Sequence, residues 1–217
     1  MGGDHGPPVI LSAAVKAIEL HSDVHFLLCG DQAVISPAIQ NLTASQRSRV
    51  TVSHCDQVVE MGEAPTSALR NKKRSSMRRV IEYVQSNEAD ACVSAGNTGA
   101  LLTLSFYLLK TLSGIDRPAL ISMMPTASHH NVFLLDLGAN VNCTPEILFQ
   151  YGVMGSVLAQ EAAGIPSPRV ALLNVGEEDI KGNAYVKLAD QLFKDAPGIN
   201  YIGYVEGDDI FTDKADV

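Results

Sequence analysis

The feature that most constrains this chain is an alternation. Short, largely apolar runs at 24–29, 50–54, 89–93, 119–124, 132–137, 170–175 and 200–205 are separated by stretches whose apolar residues recur at helical spacing. Brief runs of this kind between helices read as strands covered by helices on both faces. The chain is therefore an α/β fold with a mostly parallel sheet. One connection departs from the rule. The run ending at Pro125 and the run beginning at Val132 are too close for a crossover helix, so they read as an antiparallel hairpin and the sheet as mixed. Helices are expected from Pro8 to about His21, from Gln32 to Leu42, through the basic stretch beginning at Arg70 to about Ser86, from Thr98 to Lys110, from Pro145 to Ala163 and from Asn183 to Asp195. The Pro145–Ala163 helix carries Gly152 and Gly155 three apart. That spacing permits close helix approach, so the helix is expected to bury a face against a second subunit, with packing inside the chain as the alternative.

Several of these strands end in polar, glycine-bearing loops: Gly30-Asp31, Ser94–Gly99, Asp136–Asn140, Gly176–Lys181 and Glu206–Asp208. Ligands of open α/β sheets lie at the carboxyl ends of the strands, so these loops can converge on one cleft. The most telling is Ser94-Ala95-Gly96-Asn97-Thr98-Gly99-Ala100, where a strand is expected to turn through two glycines into a helix. The first N–H groups of a helix lack intrahelical partners, and its dipole places positive potential at the same point. The turn therefore reads either as a phosphate cradle or as tight strand-to-helix packing.

Composition narrows the classes. The net charge of −8 argues against general nucleic-acid binding. No apolar run reaches the roughly eighteen residues that would read as a membrane span. Four cysteines are widely spaced without C-x-x-C; Cys29 and Cys92 are expected to be buried, and a reduced, cytosolic compartment is expected. The 217 residues read as a single α/β domain, an incomplete piece of a longer chain. A glycine-rich loop at residues 1–8 has no strand before it, and Ala215-Asp216-Val217 reads as a strand just beginning. G-x-S-x-G, G-x-x-x-x-G-K-[ST] and G-x-G-x-x-G are all absent, which leaves nucleophile-elbow, P-loop and dinucleotide readings unsupported. His129-His130 falls on the hairpin turn and reads as surface histidine, and no spacing suggests a metal site.

Met1-Gly2-Gly3-Asp4-x-Gly6-Pro7, Arg70-x-Lys72-Lys73-x-Ser75-Ser76, Ser94–Ala100, Asp136-x-Gly138-Ala139-Asn140 and Leu173-Asn174-x-Gly176-Glu177-Glu178-x-x-Lys181-Gly182, with Glu206-Gly207-Asp208, occur in this order. Together they resemble the signatures of the phosphate acyltransferase (PlsX) family over the whole chain. The resemblance implies conversion of acyl-(acyl carrier protein) and inorganic phosphate to acyl phosphate for bacterial phospholipid synthesis, without a cofactor. It also implies a three-layer αβα, Rossmann-like fold of the isocitrate and isopropylmalate dehydrogenase type, and a homodimer associated peripherally with membrane. Relative to that family the chain lacks the first strand and everything after the strand near Val217.

The chemistry suits the residues. Phosphate is itself the nucleophile and a thiol is a fair leaving group, so positioning and oxyanion stabilisation matter more than a strong acid or base. Candidate phosphate ligands are the N–H groups of Gly96, Asn97, Thr98, Gly99 and Ala100, with the Asn97 and Thr98 side chains. Lys181 is the candidate cation for phosphate or oxyanion, oriented by Glu177 and Glu178; otherwise it is a solvated loop lysine. Asp4 and His5 are candidates to orient the donor or relay a proton, or form a structural cap. Asp136 and Asn140 position the cradle or the carbonyl, or merely stabilise turns. Six of the 16 Lys and Arg fall between Arg70 and Arg79 with no acid among them. Lys72 and Lys73 match the family motif and are candidates for the phosphate site instead, which leaves Arg74, Arg78 and Arg79 as the candidate contacts for the acidic carrier, against a solvated helix face. A dehydrogenase of the sister fold and a non-enzymatic sensor of carrier or phosphate are the rival readings.

Overall fold

The computed structural model describes residues 2–138, 143–175 and 184–217. The sequence reads as one domain, and the chain's contacts fall into two compact units, Met1–Lys110 and Thr111–Val217.

In the first unit, α1 (Pro7–Leu20) opens on two prolines, whose missing N–H groups cost nothing in a first turn. Strands β1 (Phe26–Gly30) and β2 (Val50–His54) pair in parallel, from Phe26 opposite Val50 to Gly30 opposite His54. Between them lie α2 (Gln32–Ala38), capped by the Asp31 carboxylate, and the short α3 (Ala44–Arg47). Helix α2 stops short of Leu42, with Pro37 in its last turn where a continuing helix would need an N–H. Phe26, Leu28, Val50 and Val52 share one face of the strand pair and pack on Leu11, Ile18, Ile35, Ile39 and Leu42.

The basic stretch forms two helices, α4 (Pro65–Asn71) and α5 (Ser76–Gln85), where one was expected. Ser75 ends the continuity. It is fully buried, its backbone is extended, and its hydroxyl accepts from the Arg78 N–H as the N-cap of α5. These helices and α6 (Thr98–Leu109) enclose Val59, Ala68, Met77, Ile81, Ala100, Leu104 and Leu108. The strand expected at 89–93 does not form a ladder. Val93 is 93% exposed and Cys92 is exposed, which corrects the expectation that Cys92 is buried. A strand exists through a neighbour's backbone groups, and no described residue pairs with this segment. Cys29 is half-buried and Cys55 buried.

In the second unit, β3 (Ile121–Pro125) and β4 (Asn131–Leu135) form the expected antiparallel hairpin, with Pro125 opposite Asn131. Strands β5 (Arg169–Leu173) and β6 (Asn200–Val205) are parallel. Helix α7 (Pro145–Ala163) precedes β5, and α8 (Ala184–Lys194) precedes β6. Asp216 and Val217, which belong to no assigned strand, bond to both pairs. The Phe133 N–H donates to the Asp216 carbonyl at 2.8 Å, while the Asp216 N–H donates to Arg169 and the Ala171 N–H to Val217, each at 2.9 Å. The Arg169 guanidinium grips the Asp216 carboxylate at 3.0 and 2.9 Å and fixes this register. Burial raises the Asp216 pKa, but the hydrogen bonds from Arg169 and its charge outweigh that and hold the carboxyl below its ordinary range.

The two glycines of α7 serve this intrachain packing. A Cβ on Gly152 would stand 2.3 Å from Phe193 Cζ, and one on Gly155 2.4 Å from Val217 and 2.6 Å from Leu135. The glycine face anticipated for a second subunit is therefore filled by the chain itself. Val170, Leu172, Ala189, Phe193 and Tyr204 form the core beneath it.

Candidate functional site

The first unit brings together three of the expected pieces. Asn97 is the N-cap of α6, and its Oδ1 accepts from the Ala100 N–H at 3.0 Å. Its Nδ2 donates to the carbonyls of Glu60, Met61 and Glu63 at 3.2, 2.9 and 2.8 Å. Only 9% exposed, Asn97 clamps the loop before α4 to the start of α6. Its side chain is thus engaged by the protein and not offered to a ligand, which corrects the expectation above. The Gly96 N–H donates to Ser94 Oγ at 3.2 Å, so the Gly96 and Ala100 amides are also occupied.

Of the five candidate amides those of Asn97, Thr98 and Gly99 are left; Asn97 is buried, so the pair open to solvent is at Thr98 and Gly99. Both residues are exposed, and their N–H groups have no acceptor among the described residues. Both stand in the first turn of α6, whose dipole favours an anion there. Gly99 suits close approach from one side only, since a Cβ would meet Pro65 Cγ at 3.2 Å.

The Asp4–His5 loop adjoins this turn. Gly2 and Gly3 have φ of 98° and 84°, a backbone region that favours glycine. A Cβ on Gly3 would lie 2.9 Å from the Ala95 carbonyl, and one on Gly2 3.3 Å from the Val59 carbonyl. Backbone packs directly on backbone, and Asp4 and His5 are carried, exposed, on the outer side. Beside the turn a cavity of about 200 Å³ is lined by Ile10 of α1, Leu27 of β1, Met77 of α5 and, from the segment leading into the turn, Val93.

The arginines of the basic run are held by acids. Arg74 pairs with Asp56 at 2.8 Å, Arg78 with Glu82 at 2.7 Å, and Arg79 with the same Glu82 at 3.4 Å while its guanidinium lies 5.8 Å from the Tyr83 ring centre. The Arg78 side chain is only 16% exposed. Lys72 reaches Glu63 at 3.8 Å, next to the Asn97 clamp. Arg74, Arg78 and Arg79 are therefore poorer partner contacts than the sequence suggested, because a partner's carboxylates would compete with these acids.

The second unit carries the other loops. Lys181, Asn140, Glu177 and Glu178 lie outside the described residues. Asp136 is described: its φ is 60°, and the Cys143 thiol donates to its Oδ2 at 3.4 Å. Burial, then this hydrogen bond and the carboxylate's charge, push the Cys143 thiol up to about 11. The Glu206–Asp208 loop is closed by Asp209, which accepts from the Glu206 N–H at 2.9 Å and pairs with Lys214 at 3.0 Å. His129 and His130 are exposed in the β3–β4 turn. Sequence reasoning missed the clamp role of Asn97, although an Asn directly before Thr-Gly-Ala and an apolar helix is an N-cap signal.

These features define an α/β protein with a helix N-terminus open to an anion beside a glycine loop. Its fold is similar to that of a branched-chain phosphotransacylase from Enterococcus faecalis, with a TM-score of 0.60 at 17% identity, covering 95% of this chain and 65% of that one. The model of the fatty acid synthesis protein family matches residues 1–217, and the chain belongs to that family. Phosphate acyltransferases from Pseudoalteromonas atlantica and Shewanella loihica are 54% and 51% identical over 217 residues, and one from Halorhodospira halophila is 52% identical over 220. Each match covers all of this chain and 64%, 64% and 63% of the relative, so the chain spans just under two thirds of their length.

Proposed function

We propose that the full-length protein transfers an acyl group from acyl carrier protein to inorganic phosphate, giving acyl phosphate for phospholipid synthesis. The observation that carries this reading is the open pair of amides at Thr98 and Gly99, in a chain about half identical to proteins named phosphate acyltransferase. A phosphate oxygen attacks the thioester carbonyl carbon. The resulting oxyanion collapses, the C–S bond breaks, and the carrier thiolate leaves and takes a proton. Near neutral pH much of the phosphate is already dianionic, so no metal or cofactor is needed to generate the nucleophile. Holding phosphate in line with the carbonyl supplies most of the rate.

In this reading the Thr98 and Gly99 N–H groups and the Thr98 hydroxyl hold phosphate. Asp4 and His5 orient the donor or return the proton. The finer fold reading, a three-layer αβα Rossmann-like sheet of the isocitrate dehydrogenase type, belongs to the same proposal. So does a cytoplasmic homodimer held peripherally at the membrane. Support for the fold comes from the two parallel pairs and from the strand-like residues at 216–217 between β4 and β5.

The test is release of carrier thiol by the full-length protein as phosphate is varied, with acyl phosphate trapped by hydroxylamine. Saturable, phosphate-dependent release with equal hydroxamate is expected. Phosphate-independent release would make the protein a thioesterase, and no release would refute the enzyme reading.

A further inference from the structure

We propose that the connection from α4 to α5, through Arg70 and Lys73, is the surface on which the acidic carrier protein docks. This rests on the acyl-carrier reading above. The run from Arg70 to Arg79 holds six cations in a chain whose net charge is −8. Four of them, Lys72, Arg74, Arg78 and Arg79, share the three carboxylates of Glu63, Asp56 and Glu82. Arg70 and Lys73 are exposed and have no ion-pair partner among the described residues. Six cations against three paired carboxylates leave a local surplus of three positive charges, two of them on Arg70 and Lys73 and the third where Arg78 and Arg79 share Glu82.

The place is suited to delivery. Helix α4 runs from Pro65, which abuts Gly99 at the anion site, to Asn71, so Arg70 stands about one helix length, roughly 10 Å, from the open amides. Lys72 links the same turn to Glu63, whose carbonyl the Asn97 amide holds. A carrier seated on Arg70 and Lys73 therefore lies beside the phosphate site without covering it, and its prosthetic arm spans the remainder. Exposed charges of this kind act mainly on the association rate and are screened beyond about 8 Å at physiological ionic strength.

The experiment uses the full-length protein with Arg70→Glu and Lys73→Glu, singly and together. An acyl-carrier thioester and a small acyl thioester without the carrier are compared as donors at two salt concentrations. The double variant is expected to raise the KM for the carrier donor about tenfold at low salt, with the defect shrinking as salt is added. In the Arg70→Glu single variant the KM for phosphate and turnover of the small thioester are expected to stay unchanged, which also shows that variant is folded. An unchanged carrier KM, or equal loss with both donors, overturns the docking surface. If wild type gives no phosphate-dependent turnover, the functional reading fails, and fluorescence anisotropy of labelled carrier decides the surface. Binding weakened by the double variant supports it, and equal or absent binding overturns it.

Discussion

Replacing Asn97 with alanine should loosen both the fold and the proposed phosphate site. The substitution removes the acceptor for the Ala100 N–H, an N-cap contribution of about 1 kcal/mol. It also strands the carbonyls of Glu60, Met61 and Glu63, which now receive the Asn97 amide. A buried unsatisfied carbonyl costs about 1–3 kcal/mol, but Glu60 and Met61 are exposed and water can reach their carbonyls. Only about one such penalty should survive, which brings the total to about 2–4 kcal/mol. Urea titration of the full-length protein should show this loss with an unchanged slope. Phosphate KM should rise about tenfold, because the Thr98 and Gly99 amides are aimed by the same clamp. Asn97→Asp separates the two contributions. It keeps the acceptor and adds a charge favourable to the helix dipole, yet sets a carboxylate against three carbonyl oxygens and the incoming phosphate. It should therefore weaken phosphate more than alanine does, for a similar loss of stability. A cost below about 1 kcal/mol for alanine, or an unchanged phosphate KM in both variants, would refute the clamp.

Other outcomes follow from single contacts. The Asp216 carboxyl is held below its ordinary pKa, so its contribution is present above about pH 4 and is lost as pH falls through its depressed folded value. Asp216→Asn should accordingly destabilise the protein at pH 7 and much less at pH 3, measured by urea titration at both. Gly152→Ala would push a methyl into the Phe193 ring in the core of the second unit and should cost about 1–3 kcal/mol in the same assay. The Cys143 thiol, raised to about 11, should alkylate at pH 8 on the order of a hundredfold more slowly than an ordinary cysteine near 8.5. Asp136→Asn should speed that reaction, as followed by mass spectrometry.

The parts legible in the sequence were those decided locally. The β3–β4 hairpin follows from a connection too short to cross over, and α7 from apolar spacing after a Thr-Pro start. The end at Ala215–Val217 reads as a strand just beginning; its backbone bonds to β4 and β5, though it forms no assigned strand. What escaped depends on residues far along the chain. Arg74 reads as a free cation until Asp56, 18 positions earlier, is seen to hold it. Gly152 and Gly155 permit close packing, but no pattern announces that Phe193 and Val217 fill the space. The run at 89–93 has strand composition, yet ladder formation needs a partner that composition does not reveal. The glycine turn into α6 was legible as the type that can face an anion. Which of its amides stay open was not, because that depends on where Asn97 and Ser94 direct their side chains.

The most direct test of the account is a crystal structure of the full-length protein grown with phosphate. The account predicts phosphate oxygens within about 3 Å of the Thr98 and Gly99 nitrogens, with the Asn97 amide still on the carbonyls of Glu60, Met61 and Glu63. Phosphate bound elsewhere in the active protein, with those two amides facing only water, would contradict it.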